Sequence, residues 1–252
     1  MLIASKLNFK ISSISHLWFF FLIILFRLIP ATADFSYFIL AAYALFGRKQ
    51  IILALFLLWL FSMLNTELVP SANNSSFSKY ITILTCFLSI LMRINFFAKI
   101  DKITLLSLGL GFFLVIHGYF FSQIPAISIL KALNWTTIII TLLLTWNEMN
   151  SYERENTKNL IITSLLIIIL ISSALLLFSD FGYELNSRYF QGILNHSMSF
   201  GLTTASLTAL LLVKLFHHNR FKLFFLINIL ICIALVFASG SRTSGLALIL
   251  AV

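Results

Sequence analysis

Acidic residues are scarce in this chain: eight among 252 residues, against seventeen lysines and arginines. All eight (Asp34, Glu67, Asp101, Glu148, Glu153, Glu155, Asp180 and Glu184) fall in loops or at the ends of apolar runs. Proton- and sodium-coupled carriers usually need carboxylates inside the membrane as relays or ion ligands. Their absence argues against an ion-coupled transporter. Cysteine is limited to Cys86 and Cys232, both within apolar runs, too few for a metal cluster and expected to be packed core thiols. The three prolines, Pro30, Pro70 and Pro125, stand at the ends of apolar runs, where a helix can stop without stranding a backbone group in lipid. A phosphate-binding glycine loop, an HExxH metal motif, a serine nucleophile elbow and an EF-hand are all missing. The sequence therefore asks for no metal and no cofactor, and no polar loop is long enough to fold by itself.

What the chain has instead is apolar length. Hydrophobic residues make up 60% of it and charged residues 10%, with 27 phenylalanines, whereas soluble domains carry about 25% charged residues. Apolar runs at 17–30, 35–46, 50–65, 80–97, 103–121, 125–146, 159–178, 198–216 and 223–239, and one beginning near Thr243, predict an all-α, polytopic transmembrane bundle of about ten spans. Residues 1–252 are then one transmembrane domain.

The net charge of +9 would suit a nucleic-acid partner, but its distribution points to a membrane. With a cytoplasmic N-terminus, twelve cations (Lys6, Lys10, Arg48, Lys49, Arg93, Lys99, Lys102, Arg154, Lys158, Lys214, Arg220, Lys222) fall on the inner side and four (Lys79, Lys131, Arg188, Arg242) on the outer. That bias is expected of an inner-membrane protein with this orientation, and no nucleic-acid partner is expected. The first 33 residues also read as a signal peptide ending at Ala31-Thr-Ala33; cleavage there would leave the later topology unchanged.

Two polar segments carry the candidate chemistry. In the outer loop 179–197, Arg188 stands near Gly192. It is either an anion-binding arginine suited to a phosphate or a loop arginine pairing with Asp180 or Glu184. Arg242 sits in the break Ser239-Gly-Ser-Arg242-Thr-Ser244, with hydroxyls around it and a helix N-terminus beginning beside it. That is either a diphosphate site or a helix-end anchor that snorkels. His196 is a weak candidate for a general base. His117, beside Gly118, reads as a hydrogen-bonded helix-packing residue. His217-His218 with Arg220 and Lys222 reads as a patch for anionic lipid headgroups. Arg27, within the first apolar run, either snorkels outward or lines the same cavity as the other two arginines.

Together these segments resemble the O-antigen ligase/polymerase superfamily of bacterial envelope glycosyltransferases. Arg188-Tyr-Phe-Gln-Gly192-Ile-Leu-Asn195-His196-Ser is similar to that family's Arg-x-x-(x)-Gly segment before a span, although Ser197-Met198 replaces its Pro-Asn pair. Ser239-Gly-Ser-Arg242-Thr-Ser-Gly-Leu-Ala-Leu is similar to its Gly-Ser-Arg segment. The resemblance is motif-specific over 187–252 and architectural upstream. It implies metal-independent transfer or polymerisation of an undecaprenyl-diphosphate-linked glycan, with lipid A–core or a second lipid-linked glycan as acceptor. Arg188 and Arg242 would hold the diphosphate in place of a cation. The family's chains continue into a large extracytoplasmic loop with the acceptor-activating base. The resemblance thus leads us to expect a C-terminally truncated chain, with its catalytic base in the missing loop. A lipid-linked glycan flippase or another polytopic transporter is the alternative, because it could bind the same diphosphate with the same arginines.

Overall fold

The computed structural model describes residues 16–65, 68–69, 75–94, 101–184, 189–217 and 222–251. Among them every regular element is helical. The first is α1, His16–Leu28. It is followed by α2 (Ala33–Ala44), α3 (Arg48–Met63), α4 (Ser75–Leu91), α5 (Lys102–Phe121), α6 (Pro125–Glu148), α7 (Ser151–Ala174), α8 (Ser179–Gly182), α9 (Ser197–His217), α10 (Lys222–Ala238) and α11 (Arg242–Ala251). Short 3-10 turns occupy Pro30–Thr32 and Leu175–Leu177. Among the described residues the only extended pairings are isolated bridges, Leu64 with Leu194 and Tyr183 with Phe190.

Length separates these helices. Four are long and apolar enough to cross a membrane: α5, α6, α7 with its 3-10 extension to Leu177, and Ser197–Phe216 of α9. A fifth arises if α1 and α2, bent by 110° at their junction, count together. A 16-residue helix such as α3 rises roughly 24 Å, short of the ~30 Å hydrocarbon core. Helices therefore stand near every expected span, but fewer than ten meet the length requirement alone. The exterior is apolar: α5 exposes Leu105, Leu106, Phe112, Phe113, Phe120 and Phe121. Such a surface suits lipid and is costly in water. His117 belongs to it, stacked on Phe121 at 5.0 Å and tilted against Phe113 at 6.0 Å. The expected packing role falls instead to its neighbour Gly118, which faces Ser128 of α6.

The chain divides into two compact units, one of Met1–Trp59 and Ser71–Lys158, the other of Leu60–Pro70 and Asn159–Val252. In the first, the bend between α1 and α2 is stapled by Thr32, whose N–H donates to Ile29 O (3.1 Å) and whose hydroxyl donates to Phe26 O (2.7 Å). Carbonyls released by the bend and Pro30 are thus satisfied within the protein, as an apolar solvent requires. On α4, Thr82 donates to Tyr37 O and Ser89 to Ala44 O, each at 2.9 Å, clamping α4 on α2. Asp101 caps α5 by accepting from Thr104 N–H (2.8 Å) and also accepts from Asn147 of α6 (3.2 Å). Two arginines close the carboxyl end of α6: Arg48 donates to Glu148 O at 2.8 Å, and Arg154 donates to Trp146 O and Asn147 O at 2.9 and 3.1 Å. These bonds satisfy carbonyls that the helix leaves open and oppose its negative dipole end.

Helix α7 begins eight residues before the expected span at 159–178. The cause is a reciprocal capping box: Asn150 Oδ1 accepts from Glu153 N–H (2.8 Å) and Glu153 Oε2 accepts from Asn150 N–H (3.1 Å). Conversely, α4 stops at Leu91 rather than reaching 97, with the Arg93 guanidinium donating to Leu45 O. Cys86 and Cys232 are buried free thiols, as expected.

Candidate functional site

The second unit gathers most of the sequence-predicted polar residues at one end. Small residues on α9 make this possible. Ser197, Gly201, Thr204 and Thr208 recur at helical spacing and line one face. A methyl at Gly201 would lie 2.6 Å from Ser239 Oγ, 2.7 Å from Ser241 Cβ and 3.1 Å from Ser244 Oγ. The turn before α11 therefore seats directly on the first turns of α9, and the N-termini of both helices lie at the same end of the unit.

The two segments that carried the sequence resemblance meet here. Phe190 N–H donates to Ala238 O at 3.1 Å. The ring of Tyr189 covers Gly240, whose φ of +62° is a conformation that L side chains rarely adopt. On the other segment, Gly192 has φ +59°, and a methyl there would lie 2.7 Å from Ser172 Cβ and 3.0 Å from the Phe200 ring. The glycine-permitted turn expected near Arg188 is thus present. Arg188 itself lies outside the described residues.

Arg242 is the first residue of α11 and is exposed, as is Thr243. The hydroxyls expected to surround it do not all do so. Ser239, Ser241 and Ser244 are buried: Ser239 donates to Val236 O (2.7 Å), and the Ser241 and Ser244 hydroxyls bond each other (2.7 Å). Positions 241 and 244 share one helix face, while 242 and 243 point away from it. A buried hydroxyl must find a partner in the protein, so these serines are spent on packing the turn, and Arg242 is presented outward beside a helix N-terminus.

Glu184 is the residue that sequence reading underused. Its Oε1 accepts from Ser197 N–H at 2.7 Å, capping α9, and lies 3.8 Å from His196 Nδ1. The carboxylate is largely buried, whereas the imidazole is 70% exposed. His196 therefore has a carboxylate neighbour within ion-pair range but no enclosing cavity walls of its own. Asn65 was missed altogether. It is buried, donates from Nδ2 to Phe181 O (3.1 Å) and from its N–H to Ile193 O (2.9 Å), and accepts from Val69 N–H (3.0 Å). No local pattern announces it; the partners to which it donates, Phe181 and Ile193, are over a hundred residues away in the chain. The α9 stripe could have been found, because small and hydroxyl residues at i, i+4, i+7 and i+11 mark a packing face.

Arg27 belongs to the first unit and does not snorkel: it is 6% exposed, with its guanidinium 5.9 Å from the Tyr37 ring centroid. Burial under an aromatic face replaces access to the interface. His218 and Arg220 of the basic patch fall outside the described residues, and Lys222 opens α10 as an exposed residue. Among the described residues, no three His, Cys, Asp or Glu side chains cluster so as to hold a metal.

The polar end of the second unit thus presents an exposed guanidinium, a helix N-terminus and a carboxylate–imidazole pair. This arrangement can attract and orient an anion. Compared with known proteins, the chain matches no family model, no curated protein and no solved structure.

Proposed function

We propose that this chain is a multi-pass membrane protein of the bacterial inner membrane that handles an undecaprenyl-diphosphate-linked glycan at the outer face, in the manner of an O-antigen ligase or polymerase. Arg188 and Arg242 hold the diphosphate, and lipid A–core or a second lipid-linked glycan is the acceptor. One observation carries the reading. The two segments bearing those arginines are far apart in sequence, yet Tyr189 packs on Gly240 and Phe190 bonds Ala238. Residues within two positions of each arginine, Tyr189 and Gly240, are therefore neighbours in space. Guanidinium is the fitting group, since it forms bidentate hydrogen bonds to phosphate without a metal.

The finer topology belongs to the same proposal: about ten passes with the N-terminus in the cytoplasm. A bent α1–α2 pair that re-enters the membrane returns the chain to its starting side, as two separate spans would, so later loops keep their sides. Reporter fusions test this. Periplasmic activity after residue 190 and none after residue 218 is expected; the reverse overturns the topology.

For function, the chain and its Arg242→Ala variant are reconstituted in nanodiscs and titrated with undecaprenyl diphosphate. Loss of a charge-assisted contact predicts about tenfold weaker binding or more. Equal binding would falsify the diphosphate site. In cells that depend on the protein, outer-leaflet accumulation of the lipid-linked glycan marks a transfer defect. Retention on the inner leaflet marks the flippase alternative.

A further inference from the structure

The first unit contains a second cationic cluster, to which the proposed function assigns nothing. Arg27 closes α1 one residue before its end and is buried against Tyr37 of α2, itself fully buried. Thr82 of α4 donates to Tyr37 O. Lys79 lies three residues earlier, on the same face of α4, half-buried and within electrostatic range of Arg27. Asp34, in the first turn of α2, is the acidic residue whose charge reaches Tyr37. Among the described residues, two cations and one carboxylate thus converge where α1 and α2 meet at 110°.

Charge balance makes this arrangement informative. Like charges repel more strongly in a low-dielectric interior than in water, and a cation in an apolar segment is retained with a partner. Asp34 balances one of the two positive charges. The aromatic face of Tyr37 attracts the guanidinium without neutralising it. The bend adds a further positive element: α2 starts immediately after the 3-10 turn, and its N-cap residue Thr32 makes no side-chain capping bond, its hydroxyl donating to Phe26 O instead. Broken helices in membranes present such half-helix N-termini to anionic groups. Arg27 and Tyr37 form the floor, while half-buried Lys79 and Asp34 leave the cluster reachable from outside.

We propose that Arg27 and Lys79 bind one phosphate group at the α1–α2 bend, supplied by an anionic lipid headgroup or by a free phosphate. The bound anion balances the second cation, and the N-terminus of α2 contributes its dipole. This site stands independently of Arg188 and Arg242.

The test uses the full chain in a neutral detergent, titrated separately with short-chain phosphatidylglycerol and with inorganic pyrophosphate, binding being read by thermophoresis. Saturable binding of at least one ligand is expected, weakened about tenfold or more in both Arg27→Gln and Lys79→Gln. Stronger binding of phosphatidylglycerol identifies a headgroup site; stronger binding of pyrophosphate identifies a free-phosphate site. Helix content by circular dichroism accompanies each variant. Should Arg27→Gln lose structure, Lys79→Gln decides, since its ammonium is half-exposed. Binding of neither ligand, or undiminished binding in Lys79→Gln, overturns the proposal.

Discussion

Tyr189 lies against Gly240, and the fit requires a residue with no side chain: any Cβ at 240 would run into the ring, and the backbone there has φ +62°. Position 240 is thus fixed twice, by sterics between segments and by its own dihedral. The Tyr189–Gly240 contact holds the turn before Arg242 in place.

The first prediction compares glycines. Gly240→Ala should destabilise the protein by about 1–3 kcal/mol, combining left-handed strain with displacement of Tyr189. Gly245, in the first turn of α11, has no such constraint: a methyl there meets nothing within 4 Å and its helix favours alanine. Gly245→Ala should therefore be neutral or stabilising by roughly 0.5–1 kcal/mol. Thermal unfolding in detergent reads both. Equal effects would mean that Tyr189 does not constrain the turn.

Asn65 supports a second prediction. Its side chain donates to Phe181 O and its backbone to Ile193 O, joining the segment after α3 to the loop around α8 and Gly192. Asn65→Leu keeps the heavy-atom count and branching but removes the amide donor from a part-buried carbonyl, at a cost of about 0.5–1.5 kcal/mol. Hydrogen exchange should rise at 190–195 while α5 and α6, in the other unit, stay protected. Unchanged exchange at 190–195 would contradict the joining role.

Helix existence was legible because apolar runs near span length leave few alternatives. Helix ends were less so. Ser151 starts α7 because Asn150 and Glu153 cap it, a short-range signal overlooked in favour of the apolar run beginning after Lys158. Pro30 announced a stop, but nothing in the sequence gives the 110° direction of the α1–α2 bend, which depends on what α2 packs against. For Arg27 the sequence left snorkelling and cavity-lining open, snorkelling being the general behaviour of an arginine near a span end. Its burial depends on Tyr37, which only the folded bend brings beneath it. The resemblance implied a shared diphosphate for Arg188 and Arg242, whereas the contact between Tyr189 and Gly240 and the Gly201 seat beneath the turn are long-range packing facts.

Asp101 makes a pH prediction. Hydrogen bonds from Thr104, and further from Asn147, hold its carboxyl below the usual carboxylate range. A carboxylate with a depressed folded-state pKa stabilises the fold above its unfolded pKa, and that contribution is lost as pH falls through the folded value. Amide exchange at Thr104 should therefore accelerate, relative to the intrinsic rate, only on the acid side of the ordinary aspartate range. In Asp101→Asn this acid-dependent step should disappear. A step that persists in Asp101→Asn would assign it to another group.

Glu184 allows capping to be separated from its proximity to His196. As a cap, it needs only an acceptor for Ser197 N–H; as a partner of His196, it needs its charge. Glu184→Gln keeps an acceptor oxygen and should cost less than about 1 kcal/mol, the loss of favourable charge at a helix N-terminus. Glu184→Leu removes the acceptor as well and should cost about 1–2 kcal/mol, with amides 197–200 exchanging faster. The His196 imidazole is mostly exposed and 3.8 Å away, so solvent screens it and a double-mutant cycle should give a coupling within about 0–1 kcal/mol. Stability would then report the cap and leave His196 free to act on a ligand. A larger coupling, or a Gln variant as damaged as the Leu one, would make the pair a structural ion pair and remove His196 from consideration as a base.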